Sequence, residues 1–179
     1  MKIAFIGSGN MGGAMINAIV AGKAVEAEDI YIFDKAQAAA DALGSRLGVN
    51  VCGSGREAAQ AADAVFIAVK PGVVRGVITE IADVLKSKAV VSIAAGVTVM
   101  EYISVLGENV KLVRSIPNLP AFVGAGISGL FFYNFTERDT ELRSSVRELF
   151  EAFGKTVIVD KEKMIDEMIA VTSSSPAYF

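Results

Sequence analysis

Gly7, Gly9 and Gly12 stand at G-x-G-x-x-G spacing within KIAFIGSGNMGGAM, residues 2–15, and glycine at these intervals brings a main chain against a phosphate. Gly7 permits a tight turn, Gly9 lets the backbone approach a pyrophosphate, and Gly12 lets a helix close on a strand. Ile3 to Ile6 read as a buried strand before the turn. Met11, Ala14, Met15, Ala18 and Ile19 continue beyond it as one apolar helical face. The amide hydrogens that open such a helix, at the positive end of its dipole, favour an anion.

A second strand, DIYIFD, ends at Asp34. That is about 20 residues past the third glycine, where a dinucleotide fold places an acid on the adenosine ribose. The plainer alternative is a glycine turn in an ordinary α/β protein, with Asp34 starting a loop.

The elements that must position these residues follow from the apolar pattern. Strands are expected at Ile3–Ile6, Ile30–Phe33, Ala64–Val69, Ala89–Ile93 and Lys111–Ser115, with helix-like segments between most of them, and this alternation means a parallel sheet. AVFIAV and AVVSIAA are apolar almost throughout, as strands covered by helices on both faces are. The fold class is α/β, a Rossmann-type doubly wound, mostly parallel sheet with helices on both faces. KAQAAADALGSRLG reads as a helix stopped by Gly48, with Arg56–Ala62 and Gly76–Leu85 as the next crossovers. Beyond residue 123, GAGISGLFFYN reads as a strand and ERDTELRSSVRELFEAFG as an amphipathic helix closed by Gly154. KTVIVD reads as a final strand, followed by a helix at Lys161–Ala170. SSSPAYF has a serine cap and a proline suited to a first helical position, a start signal with no helix after it, so Phe179 is expected to end a fragment.

Composition removes several chemistries. The chain has 17 basic and 20 acidic residues in 179, without long blocks of either sign, which argues against a nucleic-acid partner. It contains no histidine and one cysteine, Cys52, so a zinc site and a histidine-based triad are both disfavoured. Cys52 reads as a small buried filler without a basic neighbour to activate it. A lone thiol, no leader pattern and no apolar run of about 18 residues fit a cytoplasmic protein that does not enter a membrane.

FIGSGNMGGAM, AVKPG at Ala68–Gly72, SIAAGV at Ser92–Val97, VRSIPNLPAFVGAGISGL at Val113–Leu130 and the terminal SSSPAYF together resemble pyrroline-5-carboxylate reductase, in that family's order and spacing. The resemblance spans the chain. It implies reduction of the ring imine of 1-pyrroline-5-carboxylate to L-proline by a nicotinamide hydride, usually from NADPH. It also implies that Ile6, Gly7, Ser8, Gly9, Asn10 and Met11 wrap the pyrophosphate. Ala68, Val69, Lys70 and Pro71 would line the cofactor, and Ala94, Ala95 and Asn118 would lie towards the nicotinamide. Independently, AVKP and SIAAG both sit at C-terminal strand ends, where open α/β sheets take ligands. Lys70 before Pro71 also has the bland reading of a solvated loop lysine, and the prolines of IPNLPAF that of stiffening a loop.

The chain departs from the family in two places. Where many members carry a Ser-Asn-Arg-like cluster that suits the 2′-phosphate of NADPH, this sequence has Phe33-Asp34-Lys35. Asp34 would repel that phosphate and Lys35 would partly offset it, so NADPH is the expected cofactor with NADH possible. The family's Ser-Gly-Ser-Gly-Pro-Ala-Tyr appears as Thr172-Ser173-Ser174-Ser175-Pro176-Ala177-Tyr178 and the sequence then stops. Residues 1–160 are accordingly expected to form an NAD(P)-binding domain and 161–179 to begin a helical C-terminal dimerisation domain. In the family that second domain builds the homo-oligomer and binds the substrate carboxylate, so no catalytic side chain is assigned. Two other readings stay open: a β-hydroxyacid dehydrogenase of the 6-phosphogluconate type, whose chains also open with G-x-G-x-M-G, and a dinucleotide-binding module without chemistry.

Overall fold

The computed structural model of the chain describes residues 1–117 and 126–169. The apolar runs become eight strands: β1 (Ile3–Ile6), β2 (Ile30–Phe33), β3 (Asn50–Val51), β4 (Ala64–Ile67), β5 (Ala89–Ser92), β6 (Lys111–Ile116), β7 (Gly126–Tyr133) and β8 (Gly154–Ile158). They form one sheet in the order β3-β2-β1-β4-β5-β6-β7-β8. β1 to β6 are mutually parallel, β7 is antiparallel to β6, and β8 runs parallel to β7. The expected Rossmann-type doubly wound architecture is therefore present. Chain order reverses at β1, which lies between β2 and β4, and such switch points open a crevice above the C-terminal strand ends.

Every residue of β1, β4 and β5 is buried, because helices cover both faces. On one face α1 (Asn10–Ala21), α2 (Gln37–Leu47) and α7 (Thr140–Glu151) bring Met15, Ile19, Leu43, Leu149 and Phe150 against Phe5, Phe66 and Val91. On the other, α3 (Gly55–Ala61), α4 (Pro71–Glu80), α5 (Ala82–Leu85) and α6 (Val99–Leu106) bring Ala58, Ile78, Leu85 and Tyr102 against Ala4, Val65 and Val90. A last helix, α8 (Lys163–Ile169), packs on β6 and β7. Local sequence sets several ends: Ser54 and Thr98 cap α3 and α6 through their side-chain oxygens, and Gly48 ends α2 at φ +75°.

Three expectations about the elements are corrected. The crossover read as Gly76–Leu85 begins earlier, at Pro71, and breaks into α4 and α5 at Ile81, because Lys70 takes the extended cap position and Pro71 the first helical one. The helix read as Glu137–Gly154 is a 3₁₀ turn over Glu137–Asp139 followed by α7, which ends at Glu151. Gly154 does not close it. It opens β8 at φ +154°, where a Cβ would fall on the Gly126 carbonyl, so close strand approach rather than a helix stop requires this glycine.

Cys52 is the expected buried filler at 5% exposure, and burial, followed by the nearby Glu57 charge, pushes its thiol above the ordinary cysteine range. Little thiolate then exists near neutrality. The native protein is expected to resist iodoacetamide at pH 8 and to be alkylated promptly in denaturant. Mass spectrometry of the single adduct checks this, and rapid native labelling would contradict the burial.

Candidate functional site

The turn after β1 is built from its three glycines in three different ways. Gly7 has φ +100°, and a Cβ on it would stand 2.6 Å from the Ala68 carbonyl oxygen. Its amide donates to the Phe33 carbonyl at 2.8 Å, tying the turn to β2. A Cβ on Gly12 would run into the Gly7 carbonyl oxygen, so α1 closes on the turn only without one. Gly9 differs: nothing lies within 4 Å of where its Cβ would be, and it faces open space. Gly9 is also the N-cap of α1, which has neither a side-chain cap nor an acid in its first turn. The first-turn amides have no partner within the helix and present an unneutralised positive end.

Asp34 holds this turn from the side. Its Oδ2 accepts from the Ser8 amide at 2.7 Å and from the Ser8 hydroxyl at 3.3 Å, and its Oδ1 accepts from the Ala36 amide at 2.9 Å. The carboxylate is directed inward, at the β1 turn. It keeps further lone-pair directions for a hydroxyl.

Above the ends of β1 and β4 lies a cavity of about 660 Å³, within the range of small-molecule sites. Ile6, Gly7, Gly9, Asp34, Lys35, Ala68, Val69 and Lys70 line it, as their sequence positions imply. Ser8, Asn10, Met11 and Gly12 belong to the same turn and the first turn of α1 without forming the cavity wall, and Pro71 begins α4 beside it. Ala94, buried, and Ala95, exposed, follow β5 on the same pole of the sheet but outside this wall. Asn118 lies outside the described residues.

Phe33, Gly55, one face of α4 formed by Gly72, Val73, Gly76, Val77 and Glu80, and Ile81 just after it complete the lining and were missed from sequence. The signal was present in Pro71 at a first helical position, followed by Gly72, Gly76 and Glu80 at four-residue steps. The wall is apolar with four charged residues, Asp34, Lys35, Lys70 and Glu80, of which the two lysines suit phosphate groups.

Beside β5 the buried hydroxyls of Tyr102 and Ser115 are satisfied internally. The Tyr102 hydroxyl donates to Ser92 Oγ at 2.8 Å, and Ser115 donates to the Ser92 carbonyl at 2.8 Å. Burial pushes the Tyr102 phenol well above its ordinary range, so it remains a donor. Among the described residues no group of three or more His, Cys, Asp or Glu side chains is arranged to hold a metal ion. Among them, too, no helix is long and apolar enough to cross a membrane.

Residues 2–96 match the family model described as NADP oxidoreductase, coenzyme F420-dependent. The chain is 39% identical to the pyrroline-5-carboxylate reductase of Escherichia coli (strain K12) over 179 residues, 99% of this chain and 65% of that protein. It superposes on a pyrroline-5-carboxylate reductase from Coxiella burnetii with a TM-score of 0.90 at 31% identity, covering 99% of this chain and 65% of that one. A Plasmodium falciparum pyrroline carboxylate reductase with NADP bound gives a TM-score of 0.86 at 27% identity, with 99% and 64% covered. The chain thus spans about 65% of the length of the curated relatives it matches.

Proposed function

The chain belongs to the NADP oxidoreductase, coenzyme F420-dependent family, and from that membership we propose that it is the cofactor-holding part of a pyrroline-5-carboxylate reductase. It would take a hydride from NADPH, with NADH as a second donor, to reduce 1-pyrroline-5-carboxylate to L-proline. The observation that carries the reading is the cavity at the β1 switch point, where an uncapped helix start, the open face of Gly9 and two lysines converge. The likeness to reductases over 99% of this chain supports the choice of reaction.

In this reading residues 1–160 form the dinucleotide domain, and 161–179 begin the dimerisation domain of a cytoplasmic homo-oligomer. The first-turn amides of α1 receive the pyrophosphate, which Gly9 admits for want of a side chain. Ile6, Gly7, Ser8, Asn10, Met11 and Gly12 shape that turn. Asp34 steadies it through Ser8 and turns its remaining lone pairs to the adenosine ribose. Ala68, Val69, Lys70 and Pro71 carry the wall onward, and Ala94, Ala95 and Asn118 extend it towards the nicotinamide. The bound dinucleotide supplies the hydride, and the protein's task is to align it with an electrophilic iminium carbon. A protonated imine needs no histidine from the protein, so the absence of that residue type is compatible with this chemistry.

The choice between phosphate forms rests on Asp34 and Lys35. Three donors already engage the Asp34 carboxylate, which blunts its repulsion of a 2′-phosphate, while the exposed Lys35 stands next to it on the cavity wall. Fluorescence titration is expected to show both NADPH and NADH binding, NADPH the tighter. Lys35→Ala should weaken NADPH about tenfold, roughly 1.4 kcal/mol, and NADH little. Asp34→Ala should weaken both, because the Ser8 turn loosens. A folded chain that binds neither nucleotide would overturn the proposal.

A further inference from the structure

Arg114 is a cation at 1% side-chain exposure in β6, and the cofactor reading gives it no task. Its Nη1 donates to Glu162 Oε1 at 2.8 Å and its Nη2 to Asp166 Oδ1 at 2.5 Å, while Nε keeps no partner among the described residues. A buried guanidinium persists only where counter-charges reach it, and both come from one place: Glu162 directly precedes α8 and Asp166 lies within it.

Glu162 does more than neutralise. The same Oε1 accepts the amide of Val99, the first residue of α6, at 2.7 Å. One carboxylate oxygen thus joins β6, the start of α8 and the end of the loop 93–98 that follows β5. That loop holds Ala94 and Ala95 and turns at Gly96 with φ +76°. Its other hydrogen bonds among the described residues are longer: 3.3 Å from Ile93 to the Ile67 carbonyl, 3.4 Å from Ala94 to Ser92 Oγ, 3.4 Å from Val97 to the Ala94 carbonyl, and 3.2 to 3.4 Å from the Glu101 and Tyr102 amides to Thr98, which caps α6. Glu162 is its short anchor, favoured by the dipole at the start of α6. The β1 turn has a separate anchor in Asp34, and α4 starts on its own cap at Lys70.

We infer that Glu162, held in place by Arg114, is a positioning residue for the 93–98 loop and through it for the nicotinamide half of the dinucleotide. The adenosine half, seated on the β1 turn and α4, is set independently. The inference rests on the cofactor reading above for which half of the ligand meets this loop.

The test compares the 179-residue chain with its Glu162→Ala and Glu162→Asp variants. Asp keeps the charge but draws the oxygen back by a methylene, and it carries the test should the alanine variant not fold. NADPH probes the whole site and 2′,5′-ADP the adenosine half alone. In either variant the Kd for NADPH should rise about five- to tenfold and that for 2′,5′-ADP stay within about twofold. Amide exchange at Val99 and Ala94–Val97 should accelerate at least about tenfold, with β1 and β4 unchanged. Equal weakening of both ligands, or loop exchange and NADPH affinity like the wild type, would overturn the assignment alone. Failure of the wild type to bind either nucleotide would overturn the cofactor reading and this assignment with it.

Discussion

Replacing Gly12 by valine should raise the Kd for NADPH at least a hundredfold, roughly 2.7 kcal/mol. A Cβ at this position runs into the Gly7 carbonyl oxygen and stands 3.2 Å from the Ala68 Cβ, so the obstruction is main chain and a rigid methyl rather than a flexible side-chain end. Relief requires α1 to slide off β1 and β4, which carries its first-turn amides away from the ligand. Overpacking of this kind costs about 1–3 kcal/mol of stability or more, so the melting temperature should fall as well. Gly9→Ala separates the two effects. Gly9 is extended, at φ −63° and ψ −160°, outside the positive-φ region that favours glycine, and nothing stands within 4 Å of the added carbon. Thermal melting of Gly9→Ala should match the wild type, yet its affinity should drop, because the new methyl takes the space the pyrophosphate needs. Wild-type affinity in Gly9→Ala would sink the phosphate role of this turn, whatever the Gly12 variant did.

The contrast between these glycines shows which parts of the site could be read in advance. The β1 turn was legible because its requirements are local: a positive φ, one close approach to a neighbouring loop and a helix start, all within a few residues of sequence. The position of Asp34 was legible from spacing, but its direction was not, since the Ser8 amide it holds is brought to it by pairing of β1 with β2. The α4 wall was hidden by its composition. Gly72 and Gly76 lower helix propensity, and burial of Val74 and Ile78 against the sheet overrides that. β3, at two residues, is too short for any periodicity to register. Gly154 was misread because a helix stop and a strand crossing both call for glycine, and only the tertiary approach of Gly126 distinguishes them. Arg114 reads as one of three polar residues in the strand KLVRSI, and its partners stand 48 and 52 positions further along the chain.

The second large effect concerns the frame beneath the site. Phe66 in β4 is fully buried, its ring stacked on Phe5 at 4.4 Å between centroids with 12° between planes, and 6.0 Å from Phe150 of α7. These three rings join the two central strands to the helix layer across from the cavity. Phe66→Ala should destabilise the protein by about 3–5 kcal/mol, as truncation of a packed aromatic does when its surroundings cannot collapse. For a domain of this size that corresponds to a fall in melting temperature of roughly 10 °C. Phe66 lines no part of the cavity, and its neighbour Ile67 points to the opposite face, into the α3–α6 layer. At a temperature well below the lowered midpoint, NADPH affinity should therefore stay within about threefold of the wild type, in contrast to the loss expected at Gly9 and Gly12. Urea unfolding with an unchanged m-value would place the effect in the native core rather than in the unfolded chain. A shift of less than about 3 °C would mean that the ring cluster contributes far less than its burial implies. A large loss of affinity at low temperature would mean that the strand ends depend on this packing, and that the glycine turn does not hold its geometry alone.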